Sequence, residues 1–200
     1  MLVLSSSTPN FPTTALRTHA VFRAQDTNLL PLMLGAPRNL HLGPGTNLYD
    51  FTYAPNLAHA HVLAAINLLT IETSLANPVS AAGKPFFVTN AEPLPFQVFL
   101  KMVWEAFDGE ESPKGTSVPV GVAKVMVRLG QKVARVMGKT PVLTVQGLGD
   151  SLAERWFDCS RARDVLGYVL QVKIADALKE AAEVRKEGGK RGMVWDVGDR

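Results

Sequence analysis

Residues 50–65 read DFTYAPNLAHAHVLAA, Asp50 through Ala65, and the period of the side chains changes partway along the run. Residues 50–53 place aromatic and β-branched side chains in a short extended stretch, whereas from Leu57 the apolar residues recur at helical spacing as far as Leu69. Asn56, whose side chain can accept a hydrogen bond from a free amide, is expected to cap that helix. A strand that feeds directly into a helix is the building unit of an α/β fold.

Working outward, residues 13–22 (TTALRTHAVF) read as one buried strand, and a loop covers 23–26. Residues 28–34 (NLLPLML) are a short helix with Pro31 in its first turn or a loop packed on the core. Residues 35–47 carry enough Gly, Pro and Asn to be turns. Downstream, 85–89 (PFFVT) make a short strand, Pro95 opens a helix that Gly109 ends, and a long helix runs near 118–138. A strand at 141–145 and a helix pair, SRARDVLGY and IADALKEAAEVRKE, complete the reading. The expected boundaries are an irregular 1–12, an α/β domain over 13–186 that binds the substrate, and a loose tail over 187–200.

With 200 residues, 46% of them hydrophobic and 20% charged, the chain has the composition of one globular domain. A net charge of +3 calls for no nucleic-acid partner. The single cysteine, Cys159, excludes an internal disulfide and suits a reducing compartment, so the expected location is cytoplasmic. No apolar run is long enough to span a membrane, and the N-terminus reads as a poor signal peptide. His59 and His61, two apart on a helix, point about 200° from each other and cannot share an ion, so no metal site is expected.

Residues 50–65 resemble the D-F-T-Y-V-x-N-V-A-H-A-H-x-L-A-A run of fungal sterol-4-carboxylate 3-dehydrogenases, within the 3β-hydroxysteroid dehydrogenase family. Three further blocks follow the family's order: Ala15-Leu16-Arg17 before Phe22 and Asp26, residues 84–93 (KPFFVTNAEP), and Arg155-Trp156-Phe157-Asp158 with Ala162 and Leu166-Gly167-Tyr168. The resemblance implies the C-terminal, substrate-side portion of an extended short-chain dehydrogenase, without most of the Rossmann sheet. It also implies an NAD(P)-dependent oxidation of a 3β-hydroxyl on a steroid or terpenoid, with Tyr53 bordering the sterol cavity and Arg17, Phe22, Phe51 and Asn56 as further substrate contacts.

The cofactor itself is another matter. A dinucleotide fingerprint needs three glycines between a strand and a helix, and Gly43-Pro-Gly45 and Gly147-Leu-Gly149 each lack the third. The family's tyrosine with a lysine four residues later has no counterpart among Tyr49, Tyr53 and Tyr168. Where the family tends to read L-R-P-x-x-x-F-G-P-G-D, residues 16–26 read LRTHAVFRAQD. The expectation is that this chain alone binds no cofactor, and that redox chemistry draws on a missing N-terminal half or a separate chain. The alternatives are a cofactor-independent isomerase or cyclase acting on a polycyclic terpenoid, with His19, Asp26 or Tyr53 moving protons, and a non-enzymatic lipid-binding remnant. His19 and Asp26 would form an acid/base pair if their loop folds back. Arg17, inside an apolar strand, needs a partner such as Asp50 or a ligand.

Lys124, Arg128, Lys132, Arg135 and Lys139 fall in one stripe roughly 80° wide, beside a face made by Val122, Val125, Leu129, Val133, Val136 and Met137. Two readings stand: a core helix with a solvated face, or peripheral contact of residues 118–139 with an anionic membrane such as the endoplasmic reticulum. Loss of flanking strands would leave an edge that a homo-oligomer could cover.

Overall fold

The computed structural model describes residues 2–70, 76, 78–109, 115–138, 141 and 143–190. Along the chain come α1 (Leu2–Ser5), β1 (Ala15–Arg17), β2 (Val21–Phe22), α2 (Leu29–Leu34), β3 (Leu40–Leu42), β4 (Leu48–Tyr49), β5 (Thr52–Tyr53) and α3 (Ala54–Thr70). Then follow β6 (Pro85–Phe87), β7 (Leu94–Pro95), α4 (Phe96–Asp108), β8 (Thr116–Val118), α5 (Val120–Val136), α6 (Val145–Leu152), α7 (Ser160–Leu166) and α8 (Ile174–Lys190). The class is α/β, as the alternation in the sequence suggested. Among the described residues the strands pair two by two: β1 with β6, β2 with β5 and β3 with β8 in parallel, β4 with β7 antiparallel.

Several elements depart from the sequence reading. The strand expected over 13–22 is broken, because Ala20 adopts φ 43° and the chain changes partner from β6 to β5 across Thr18 and His19. Thr52 holds the break: its hydroxyl donates to the His19 carbonyl at 2.7 Å and its amide to that of Ala20 at 3.2 Å. β3 lies in the stretch expected to be turns, because it pairs with β8, which no local pattern announces. Among the described residues of the strand expected over 141–145 none is in a strand, and its last, Val145, opens the unexpected helix α6, which Thr144 starts by accepting a hydrogen bond from Gly147 N. The N-terminus carries α1, and α8 continues to Lys190, past the expected boundary at 187; the rest of the expected tail, 191–200, lies outside the described residues.

Where the sequence suggested one domain over 13–186, the contacts cluster in two compact units, each built from three stretches of chain. The first comprises Met1–Arg23, Asp50–Pro93 and Trp156–Ile174. Its core packs Ala60 and Ala64 of α3 against Phe86, Val88, Ala162, Leu166 and Tyr168. Small side chains on α3 let α7 come close. Asn67, buried on the same helix, donates to the carbonyls of Val79 and Val165, both at 3.1 Å, and accepts from Ala81 N at 2.7 Å.

The second unit comprises Ala24–Tyr49, Leu94–Arg155 and Ala175–Arg200. Here Trp104 of α4 is fully buried and its indole N–H donates to Met33 O at 3.0 Å, tying α4 to α2. α4 ends at Gly109 with φ 71°, the left-handed conformation a C-terminal glycine adopts without strain. Val118, Ala123 and Leu148 form a smaller cluster under β3, α5 and α6.

Candidate functional site

The residues with chemistry in the first unit gather where β1 breaks. His19 Nδ1 lies 3.2 Å from the Asp50 carbonyl, which can only accept, so Nδ1 donates there. The imidazole tilts against Phe157, ring centroids 5.5 Å apart, and Phe157 stacks on Phe87 at 4.7 Å. Phe86 and Phe87 follow each other on β6, so one faces the core and the other leaves it: Phe86 is 1% exposed and Phe87 36%. Trp156, next to Phe157, is 49% exposed. A half-buried imidazole thus borders an aromatic surface.

Asp50 is buried beneath this cluster, and its Oδ2 accepts from Phe157 N at 2.7 Å. Burial raises its carboxyl above the ordinary 3.8, while the Phe157 amide, the Thr89 hydroxyl and His19 pull the other way. Asp50 Oδ1 meets no partner at hydrogen-bond distance among the described residues. Tyr168 donates its hydroxyl to Thr89 O at 2.8 Å, and burial pushes the phenol up to about 12. Thr89 Oγ1 in turn lies 3.4 Å from the half-buried Cys159 thiol.

The structure brings some of the sequence-predicted residues together and disperses others. Phe22, Phe51 and Tyr53 are at most 1% exposed, and the Phe22 and Tyr53 rings meet at 5.4 Å inside the first unit. Arg17 is exposed at the end of β1 and forms no ion pair among the described residues, against the expected partner. Its guanidinium stays in water, so no desolvation has to be offset. Asp26 does not supply the carboxylate of a His19 pair; it accepts from the amides of Asn28, Leu29 and Leu30 at 2.6, 3.0 and 3.4 Å and so serves the start of α2.

Asn56 is not the cap of α3, which begins at Ala54 and leaves it buried in the first turn. Its Nδ2 donates to Asn90 Oδ1 and Val172 O, and its Oδ1 accepts from Val172 N and Gln171 N. All four hydrogen-bonding positions of the amide are therefore taken within the protein. Sequence reading missed Phe87, Phe157 and Asp50 as neighbours of His19; the alternation in PFFVT could have singled out Phe87, but the stack with Phe157 spans seventy positions of chain.

Neither glycine pair makes the cradle a dinucleotide's pyrophosphate takes. Gly43 and Gly45 turn the chain from β3 toward β4, and Gly147 and Gly149 lie inside α6, so neither stands between a strand and the start of a helix. Among the described residues no group of His, Cys, Asp and Glu is arranged to hold a metal ion.

The sequence profile of the 3-beta hydroxysteroid dehydrogenase/isomerase family matches residues 2–120. The chain belongs to that family. It is 34% identical over 181 residues to the sterol-4-alpha-carboxylate 3-dehydrogenase, decarboxylating, of Schizosaccharomyces pombe, covering 88% of this chain and 51% of that protein. The human protein of the same name is 31% identical over 191 residues, covering 90% and 49%. This member of the family therefore spans about half the length of the curated relatives it matches. Among solved structures, the dTDP-glucose 4,6-dehydratase of Bacillus anthracis in complex with NAD superposes with a TM-score of 0.56 at 11% identity, over 97% of this chain and 52% of that one. At that identity the likeness shows the fold alone, an α/β fold.

Proposed function

We propose that this chain is the sterol-side part of a 3β-hydroxysteroid dehydrogenase acting on a sterol 4-carboxylate, and that it holds the sterol without oxidising it alone. The observation that carries this reading is the similarity over about nine-tenths of the chain to proteins named sterol-4-alpha-carboxylate 3-dehydrogenase, decarboxylating. Two features of the first unit support it. Phe87, Phe157 and Trp156 offer an aromatic surface that a flat polycyclic hydrocarbon can cover, and His19 at its border supplies a polar contact for a ring substituent. Phe22, Phe51 and Tyr53 are buried in the same unit.

The NAD(P) that the family implies is supplied, in this reading, by a region or chain that provides both the glycine cradle and the tyrosine-lysine pair. The part played by the residues present ends at binding and orienting the sterol. Contact with the membrane in which sterols reside is assigned to α5. Among the described residues no helix is long and apolar enough to cross a membrane. α5, however, buries only Ala123 of its 17 residues. Val125, Leu129 and Val133 are 55–58% exposed beside Lys124, Arg128, Lys132 and Arg135, all in water. Lys139 lies outside the described residues.

The test is titration of the purified chain with a 3β-hydroxysterol 4-carboxylate, read as tryptophan fluorescence. Saturable quenching that Phe87→Ala weakens is the expected result. No saturable response would overturn the reading, and turnover of the sterol in the absence of any nicotinamide would replace it with the isomerase or cyclase alternative.

A further inference from the structure

Arg17 ends β1, and the register of its strand pair decides which way it points. Across parallel strands, about 4.8 Å apart, register partners stand side by side and turn to the same face. Leu16 pairs with Phe86, and both pack in the core of the first unit. The next pair, Arg17 and Phe87, therefore stands on the opposite, outward face, and both are exposed there. Phe87 is the ring that stacks on Phe157, against which His19 tilts. One stretch of chain thus sets a guanidinium beside Phe87 and an imidazole against Phe157, two residues apart, and all four residues belong to the first unit.

The guanidinium forms no ion pair among the described residues. The two acids attached to the stack are engaged elsewhere. Asp50 is buried with Oδ2 accepting from Phe157 N at 2.7 Å, and Asp158, next to Phe157 in the chain, accepts from the Ser160 amide and hydroxyl, each at 2.8 Å. The planar fork of an arginine matches a carboxylate through two parallel N–H donors. In open water such a pair gains little. A hydrocarbon skeleton lying on Phe87 changes that, because it displaces water from one side of the guanidinium and strengthens the bond made there. The ligand that uses both features is a flat hydrocarbon with a carboxylate at its edge. In a 3β-hydroxysterol 4-carboxylate the hydroxyl and the carboxylate sit on neighbouring ring carbons, so two polar side chains are wanted at one border of the aromatic surface, and Arg17 and His19 stand there.

We infer that Arg17 is the specificity-determining residue of this surface, its guanidinium binding the sterol carboxylate and so selecting the acid over a neutral sterol. The inference rests on the sterol reading of the surface formed by Phe87 and Phe157.

The experiment titrates the full chain with a 3β-hydroxysterol 4-carboxylate and, separately, with its methyl ester, reading tryptophan fluorescence. The parent is expected to bind the acid roughly fivefold more tightly than the ester, a preference that shrinks as salt is added because water still reaches the pair. Arg17→Gln should abolish the preference by weakening the acid alone, and Arg17→Lys, which keeps the charge without the fork, should retain part of it. Phe87→Ala should weaken both ligands alike. A parent that binds acid and ester equally overturns the role of Arg17 and leaves the sterol site standing. So does an Arg17→Gln variant that keeps the parent's ratio. A parent that binds neither ligand overturns the sterol reading and this inference with it.

Discussion

Asn56 shows how far the work of a residue can lie from its local pattern. An asparagine ahead of an apolar helical run reads as a cap, but its four hydrogen bonds go to Asn90, Gln171 and Val172, and no window of sequence around position 56 contains them. Truncation would orphan buried groups in all three, which costs more than a lost cap. Asn56→Ala is therefore expected to destabilise the fold by about 3 kcal/mol, as read from urea unfolding; a loss of about 1 kcal/mol would restore the capping role. Asp50 makes a second test. Its carboxyl is raised above 3.8, chiefly by burial, so the folded state holds its proton more tightly than the unfolded chain does. The stability this contributes is complete below pH 3.8 and is lost as the pH rises through the higher folded value. Asp50→Asn removes that dependence, so the melting temperature of the variant relative to the parent should climb across this window and level off above it. A difference that stays flat with pH would mean that Asp50 titrates like a solvated carboxylate.

At the scale of elements, most helices were legible and the strands only in part: β1 and β2 fall within 13–22, β5 within 50–53 and β6 within 85–89, while β3, β4, β7 and β8 went unread. α3, α4, α5, α7 and α8 announce themselves by apolar spacing, and Pro95 and Gly109 mark ends that the structure keeps, whereas α7 stops at Gly167, inside the stretch read as helix to Tyr168. The strands are two or three residues long, too short for alternation to register, and β3 exists because β8 lies beside it in space. α6 went unread because its two glycines lower helix propensity while a single threonine starts the turn. The glycines give a pair of opposite outcomes. Gly109→Ala puts a Cβ at φ 71° and should cost about 1 kcal/mol, whereas Gly149→Ala, inside α6 with nothing within 4 Å of the new methyl, should gain about 0.5–1 kcal/mol. Thermal unfolding of the two variants reads both signs. The amphipathic pattern of α5 was also visible in the sequence, though not that its apolar residues would be left uncovered. If α5 lies on an anionic surface, replacing Lys124, Arg128 and Lys132 by Gln should weaken association with phosphatidylserine vesicles by about 3 kcal/mol, near 1 kcal/mol per charge, and added salt should do the same. Equal pelleting of parent and variant with the vesicles would return α5 to an ordinary solvated helix.

For the molecule as a whole, the family and the α/β class were legible from residues 50–65 and three companion blocks, while the division into two units was not, because each unit interleaves stretches far apart in sequence. Each sheet among the described residues has only two strands, and three of the four pairs are parallel. Parallel strands are ordinarily flanked and covered on both faces, so a chain that presents such pairs is expected to self-associate. Sedimentation velocity should show the mean mass rising with concentration; a single species of 21.7 kDa at every concentration would count against it. The interleaving also bears on how the protein is made. The amide of Asn56 waits for Val172, 116 positions later, and Asn67 waits for Val165, 98 later. At ribosomal rates of about 5–20 residues per second, α3 would spend roughly 6–23 seconds with buried-to-be amides unsatisfied and its small-residue face uncovered. A codon change that slows translation between positions 67 and 165 would lengthen that exposure without altering a single amino acid.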